Sequence, residues 1–181
     1  AENIAQQLDS INWTGILSFT GWGEPLMNKN LFNIIDLMPT KYKIRITTNG
    51  DILYKNPKIL ENILSRQIDT VYVSIYDGQE QYDKFEKEWE KYSNFKLRPL
   101  EDREPNFTNR GGAVDIGKNR RNGNCYIPFY KMFIDLDGTV RLCCNDWQRK
   151  KEYGKNIVEA WDKLDRIYDG KRNFSPCDNC S

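Results

Sequence analysis

The apolar positions of the chain change period repeatedly, and each change marks an element. Ile4, Leu8 and Ile11 recur at helical spacing over residues 2–12 and predict an amphipathic helix. Ile16–Phe19 is a short apolar run with the length of a buried strand. "NKNLFNIIDLM" returns to helical spacing: Asn28 or Asn30 supplies a cap, and Leu31, Ile34, Ile35 and Met38 share a face. "YKIRITTNG" reads as a strand closed by the turn dipeptide Asn49-Gly50. Asn56 followed by Pro57 predicts a capped helix start, with Ile59, Leu60, Ile63 and Leu64 as its buried stripe. In "TVYVSIYDG", Val71, Val73 and Ile75 alternate against Tyr72, Ser74 and Tyr76, which predicts another strand. Tyr82, Phe85 and Trp89 mark a further helix face, and "FKLRPL" predicts the last strand of the series.

Strand and helix thus alternate at a spacing of roughly 25–30 residues, the period of a βαβ series. Such a series builds a parallel sheet with helices outside it, whether open, doubly wound or curled into a barrel. In each form ligands bind at the carboxyl ends of the strands. "FTGWGEP" lies at such an end, as do Thr47–Asn49 and Ser74–Asp77. Gly21 and Gly23 permit close backbone approach to a ligand. Glu24, ahead of Pro25, accepts hydrogen bonds from an ammonium group, while Thr48, Asn49 and Ser74 suit hydroxyl or carboxylate groups. Trp22 and Tyr76 read as packing residues.

From residue 101 the chain becomes polar, glycine-rich and basic, as expected of a loop region crossing into a second module; Lys118–Arg121 reads as solvated surface. "CYIPFYKMFIDLDGTVRLCC" predicts a β-hairpin. Met132 and Ile134 lie on one strand, Val140 and Leu142 on the other, and Asp137-Gly138 forms a two-residue type I′ turn. A helix with Ile157, Trp161, Leu164 and Tyr168 on one face follows, and the sequence closes on Cys177-Asp178-Asn179-Cys180. This arrangement lets Cys125, Cys143, Cys177 and Cys180 converge. Cys143 and Cys144 are neighbours on a strand and point to opposite faces, so only one of them is expected to ligate. Four thiolates suit Zn²⁺ or an iron–sulfur cluster; zinc ribbons carry two C-x-x-C knuckles and this sequence has one, which favours iron.

Composition narrows the chemistry. Histidine is absent from the 181 residues, which removes Ser-His-Asp and Cys-His nucleophile systems and His-containing zinc sites. Any general base is therefore Asp, Glu, Lys, Tyr or Cys. The net charge of +1 points to no nucleic-acid partner. No apolar run has bilayer length and no signal-peptide pattern opens the sequence, so a soluble, cytoplasmic protein without a membrane partner is expected. The odd number of cysteines, five, argues against a disulfide framework.

Together these pieces resemble the radical SAM superfamily, in particular members with a C-terminal SPASM or Twitch extension. "FTGWGEPL" is similar to the family's GGEP motif after the second barrel strand, with Trp22 between the glycines. "TTNG" at Thr47–Gly50 is similar to the family's third-strand ending, and "C…DGTVRLC" has the SPASM-type spacing, which selects Cys143 over Cys144. The resemblance implies an α/β fold: a partial (β/α) barrel over residues 1–115 with outer helices, then a cysteine-rich hairpin-and-helix module over 116–181. It implies that Gly21, Gly23 and Glu24 meet the amino group of S-adenosylmethionine, with Pro25 in the same cofactor-binding segment, and that Ser74 faces its ribose or carboxylate, with Thr48 and Asn49 beside them. Arg98, ending the last strand of the series, is a candidate substrate contact.

The single closing C-x-x-C is similar to the Twitch form, so Cys125, Cys143, Cys177 and Cys180 would hold one auxiliary [4Fe–4S] cluster. The family's catalytic cluster is bound by C-x-x-x-C-x-x-C after the first strand, whereas no cysteine precedes Cys125. That cluster and the first βα unit are expected from an N-terminal segment outside these residues; the alternatives are a partner chain that supplies them and a member that has lost the chemistry. In the family mechanism a reduced cluster cleaves S-adenosylmethionine to a 5′-deoxyadenosyl radical, which abstracts a substrate hydrogen; in oxidising members the auxiliary cluster accepts the second electron. The resemblance favours oxidation of an alcohol in a sugar or aminocyclitol, with a small-molecule or peptide substrate and an electron donor such as flavodoxin or ferredoxin. The alternatives are a peptide-modifying maturase and a non-catalytic iron–sulfur electron-transfer or binding module.

Overall fold

The computed structural model describes residues 2–100, 110, 113–115, 125–141, 143–149 and 151–167. The readings of Lys118–Arg121, Leu142, Tyr168, Cys177 and Cys180 lie outside the described residues, and of Leu164 only the backbone is described. The chain divides into two compact units: Thr14–Asn106 form most of one, while Asn3–Trp13 and Phe107–Ser181 form the other.

The first unit is built on four parallel strands, β1 (Ile16–Phe19), β2 (Lys43–Thr48), β3 (Thr70–Ser74) and β4 (Phe95–Arg98), lying in that order. Their register aligns Ser18 with Arg45, Arg45 with Thr70, Thr47 with Tyr72, Tyr72 with Lys96 and Ser74 with Arg98. Strand residues alternate sides, so this register sorts the side chains onto two unlike faces. Ile44, Ile46, Thr48, Val71 and Val73 share one face, and all are buried. Arg45, Thr47, Tyr72, Ser74 and Arg98 share the other, where all but Ser74 keep some exposure. β1 is less buried than its composition predicts. It has one neighbouring strand among the described residues, its burial alternates, and Ile16 is exposed.

The connections carry α2 (Leu31–Asp36), α3 (Asp51–Lys55), α4 (Pro57–Leu64) and α5 (Gln79–Trp89). Leu31, Ile35, Leu53, Ile63, Phe85 and Trp89 supply their buried faces. Asn56 caps α4 as its sequence predicts: the side chain accepts a hydrogen bond from the Lys58 N–H at 3.2 Å, and Pro57 fills the position whose N–H would be spare. Asn28, rather than Asn30, makes the side-chain bond ahead of α2, accepting from the Asn30 N–H at 2.9 Å in a local turn. Leu64, assigned to the buried stripe of α4, is exposed; it ends the helix, past the last turn that faces the core. Helix α3 has no counterpart in the sequence reading, which closed β2 on an Asn-Gly turn. The same dipeptide starts a helix instead, because the Asn49 side chain accepts from the Asp51 N–H at 3.1 Å and Asp51 places a carboxylate in the first turn. At the end of α4, Arg66 grips Asp36 of α2 through two parallel bonds of 2.7 and 2.8 Å. Those bonds hold the exposed Asp36 carboxyl below its usual pKa.

The second unit takes in the N-terminal helix α1 (Glu2–Ser10) from Asn3 onward. It also contains α6 (Ile127–Tyr130), β5 (Phe133–Ile134), β6 (Val140–Arg141), β7 (Glu152–Gly154) and α7 (Ile157–Ile167). The Gln7 side-chain carbonyl accepts a hydrogen bond from the Ile157 N–H at 2.8 Å, so α1 satisfies a spare donor at the start of α7. Asn156 caps the same helix by accepting from Glu159 N–H at 2.9 Å. Trp13 meets Trp161 edge to face, with ring centroids 6.2 Å apart. Trp161 is nonetheless exposed, and Ala160 takes the buried place on α7. A Cβ added at Gly154 would lie 2.7 Å from the Ala160 nitrogen, so β7 rests directly on the α7 backbone.

The hairpin differs from its sequence reading in two respects. Residues 127–130 form the helical turn α6, opened by Pro128, so the first strand begins only at Phe133. The loop is a three-residue one, not a two-residue type I′ turn. Asp135 N–H donates to Thr139 C=O at 2.9 Å, and Gly138 N–H to Asp135 C=O at 3.0 Å. Of the loop residues only Gly138 has positive φ, +86°. A type I′ turn needs positive φ at both central residues; this pattern is a type I turn followed by a glycine bulge. Asp137 takes its part through the side chain, which accepts from Thr139 N–H at 2.9 Å and is thereby held below its usual pKa. β7 adds a third, antiparallel strand. At the root of the hairpin Asp135 is buried, with Oδ2 3.3 Å from Arg141 Nε and 3.2 Å from Arg149 Nε.

Two stability predictions follow from these contacts. Gly50 has φ +84°, and a Cβ there would lie 2.7 Å from Phe85 Cε2 and 2.8 Å from Val73 Cγ1. Gly50→Ala is expected to cost about 2–5 kcal/mol in urea unfolding, combining left-handed strain with overpacking. Gly23, whose Cβ would meet nothing within 4 Å, should tolerate alanine within about 1 kcal/mol. Equal losses at the two sites would contradict this packing. Asp135→Asn, which strips a buried carboxylate from two guanidiniums, is expected to cost about 3–5 kcal/mol. Arg149→Met should cost much less, because Arg149 is half exposed. Chemical denaturation of both variants checks the order.

Candidate functional site

The strand ends carry the chemistry. After β1 the chain passes through Gly21, at φ +127°, and reaches Glu24, which caps a single 3₁₀ turn over Pro25–Met27. The half-buried Glu24 carboxylate is divided between two loops. Oε1 accepts from the Leu26 N–H at 3.1 Å, and Oε2 accepts from the Asn49 N–H at 2.8 Å. The second bond ties the loop after β1 to the end of β2, 25 residues along the chain. A carboxylate offers about four acceptor positions, so this tie leaves room for further donors. Pro25 preorganises the turn and Leu26 anchors it in the core.

The expected residues take different stations around this tie. Asn49 donates its backbone N–H to Glu24 and turns its side-chain oxygen back to Asp51; its amide NH₂ has no hydrogen-bond partner among the described residues. Thr48 lies on the helix-covered face, is buried, and accepts from Gly50 N–H at 3.0 Å, so its hydroxyl closes the turn. Thr47 is the threonine on the open face, level with Tyr72. The sequence reading placed Thr47 at the strand end but gave the binding role to Thr48, although counting alternate positions from Ile44 and Ile46 distinguishes the two. Ser74 ends β3 on the open face, buried and level with Arg98. Gly23 stands in open space and Trp22 is half-buried. Tyr76, read as a packing residue, is exposed, because it lies past the end of β3.

Arg98 is exposed at the end of β4, with its Cζ 4.8 Å from the centre of the Tyr72 ring. Arg45 reaches the same ring from β2 at 5.2 Å. Neither Arg45 nor Tyr72 was singled out from sequence; the signal was a basic residue at a strand centre, on the side opposite Ile44 and Ile46. A separate cleft of about 220 Å³ lies between α3 and α5, lined by Asp51, Tyr54, Asp77 and Lys84 among others, and holds none of the expected residues.

In the second unit, Cys125 precedes α6 and is half-buried, Cys143 is half-buried, and Cys144 is exposed. Among the described residues no three His, Cys, Asp or Glu side chains gather as a metal site; Cys177 and Cys180 are not among those residues. No described helix is long and apolar enough to cross a membrane.

No family model matches the chain. It is 28% identical, over 200 residues, to the S-adenosyl-L-methionine-dependent 2-deoxy-scyllo-inosamine dehydrogenase of Niallia circulans, a match taking in 99% of this chain and 78% of that protein. Among solved structures it is similar to BtrN in complex with AdoMet and 2-DOIA, with a TM-score of 0.80 and 22% identity over 99% of this chain and 78% of that one. It is also similar to BtrN in an open conformation, with a TM-score of 0.69 and 20% identity over 99% and 77% of the two chains. The chain therefore shares the fold of BtrN along nearly its whole length.

Proposed function

We propose that the chain is the greater part of a radical SAM dehydrogenase that oxidises an alcohol of a sugar or aminocyclitol. One observation carries this reading: the similarity to an S-adenosylmethionine-dependent dehydrogenase runs through 99% of the chain, with G-W-G-E-P placed at a strand end. The residues present suit the cofactor. Glu24 keeps acceptor positions for an ammonium group after fixing two loops, Asn49 keeps its amide donors, and Gly23 leaves space beside them. Ser74 and Thr47 add hydroxyls on the same open face.

In this reading Gly21, Gly23, Glu24 and Pro25 hold the methionine end of S-adenosylmethionine, and Asn49 and Ser74 orient the rest. Thr48 acts behind them by fixing the turn at Gly50. When bound and reduced through a [4Fe–4S] cluster, the cofactor would supply the radical chemistry that removes a hydrogen atom from the alcohol carbon. Arg98 meets the substrate from β4. We assign residues 116–181 to an auxiliary-cluster module in which Cys125, Cys143, Cys177 and Cys180 hold a [4Fe–4S] group. The part preceding it completes a (β/α) barrel together with an upstream segment that binds the catalytic cluster, and a flavodoxin or ferredoxin acts as reductant.

Anaerobic reconstitution of the full-length protein tests both halves. Glu24→Ala should weaken S-adenosylmethionine binding at least tenfold in equilibrium dialysis. It should also lower stability by about 1–3 kcal/mol, because two backbone N–H groups lose their acceptor. Wild-type affinity in the folded variant would remove Glu24 from the cofactor site. Cys143→Ser should lose four irons per chain and Cys144→Ser should keep them. The reverse would assign the ligand to the neighbouring residue, and stoichiometric zinc without iron would replace the cluster by a structural metal.

A further inference from the structure

Among the strand positions of the open face Tyr72 is the aromatic one, and a guanidinium meets its ring from each side of β3. Arg45 reaches the ring from β2, with Cζ 5.2 Å from its centre, and Arg98 from β4, with Cζ at 4.8 Å. They are rooted at different levels. Arg45 is level with Thr70, two residues before the tyrosine, and Arg98 with Ser74, two residues after it. A ring face attracts a guanidinium and favours particular orientations of the two, so contacts from two strands restrict how the ring can turn. Packing does not require this arrangement: Arg45 buries its Nε without an acceptor, which costs stability. The phenol hydroxyl that these contacts orient makes no hydrogen bond among the described residues, and keeps its donor and acceptor positions for a ligand.

Tyr72 also lies where a substrate is needed. Ser74, which the proposed reading gives to the cofactor, is the next residue but one on the same face, about 6.6 Å along the strand. Thr47 stands level with Tyr72 on β2. A substrate carbon set against the cofactor at Ser74 falls over this stretch of β3.

We infer that the Tyr72 hydroxyl hydrogen-bonds a hydroxyl of the substrate, with Arg45 as the positioning residue that steadies its ring. This rests on the reading of the open face as the substrate side of a dehydrogenase acting on a sugar or cyclitol alcohol, and it names the residue that recognises the polyol. A phenol hydroxyl both donates and accepts, which suits the hydroxyls of a polyol, and a ring held from two strands gives that bond a fixed direction. Arg45 acts on the substrate through Tyr72.

The experiment titrates 2-deoxy-scyllo-inosamine, the alcohol named for the Niallia circulans relative, and separately myo-inositol and glucosamine, into the reconstituted full-length protein saturated with S-adenosylmethionine, read by calorimetry. At least one of them should bind at millimolar concentration or below. Tyr72→Phe keeps the ring and its two cations, and should weaken that binding about three- to tenfold while cofactor affinity and the urea midpoint stay unchanged. Arg45→Met should weaken it about two- to fivefold with a midpoint equal to or above wild type, because a buried unpaired donor is removed; Arg45→Lys, which keeps a cation for the ring, should weaken it less. Added to Tyr72→Phe, Arg45→Met should weaken binding less than about twofold further, since the hydroxyl it positions is gone. Full additivity would make Arg45 a direct contact and overturn its positioning role. Wild-type affinity in Tyr72→Phe overturns the inference, as does loss of S-adenosylmethionine affinity in that variant, which gives the hydroxyl to the cofactor. A protein that holds S-adenosylmethionine and binds none of the three alcohols overturns polyol recognition by this face. Alcohol binding that depends on Tyr72, in a protein with no affinity for S-adenosylmethionine, would sink the dehydrogenase reading and leave the Tyr72 site standing.

Discussion

The hydrogen bond from Asn49 N–H to the Glu24 carboxylate holds the candidate site together. Parallel strands end in loops that have no ladder to fix them, and each loop leaves backbone donors seeking acceptors. Glu24 answers two such donors from two different loops with one side chain. Its position then sets everything near it. Asn49, pinned through its backbone, has its side chain free to start α3, and Gly50 can take the left-handed conformation that brings Phe85 and Val73 against the turn. A neutral side chain of the same length would supply a single acceptor oxygen where two are used.

The second constraint is the period of the strand itself. Because residues alternate sides, the helices' demand for apolar partners fixes every other position, and what remains goes to the open face. Ile44, Ile46, Val71 and Val73 are dictated by packing. Arg45, Thr47 and Tyr72 are not, and two of them are polar or charged at places where a doubly covered sheet would carry valine or isoleucine. The open face is thus where the sequence departs from simple core formation, and such departures mark functional surface.

The βαβ series was legible because its helices and strands are long enough for their periods to show, and the Asn56-Pro57 start was legible because capping is local chemistry. The strand-end motif was legible through glycine and a lone carboxylate. What escaped was tertiary. The side chain through which a loop closes, Thr48 rather than Thr47, depends on which face the helices cover. The helix α3 depends on the Asn49 side chain turning toward Asp51 while its backbone is held by Glu24. The hairpin loop was misjudged because Asp-Gly suits two turn types, and only the pairing of Asp135 with Thr139 chooses between them. Arg45 was overlooked because a basic residue within a strand reads as surface until its neighbours are known.

The hairpin root and the open face show the same chain treating arginine in two ways, and the contrast separates structure from function. At the hairpin, Asp135 is buried, faces Arg141 and Arg149, and has its other oxygen bonded to the Leu136 N–H at 2.8 Å. That cluster gives both guanidiniums a carboxylate contact within the fold. On the sheet, Arg45 and Arg98 approach the Tyr72 ring from β2 and β4, and no strand position on that face carries an acid. A fold that needed only to pack Tyr72 would be served better by an aliphatic residue at position 45, since a buried donor without an acceptor costs more than a methylene in the same space. The unpartnered Nε–H of Arg45 marks the open face as the part of the sheet that packing alone does not account for.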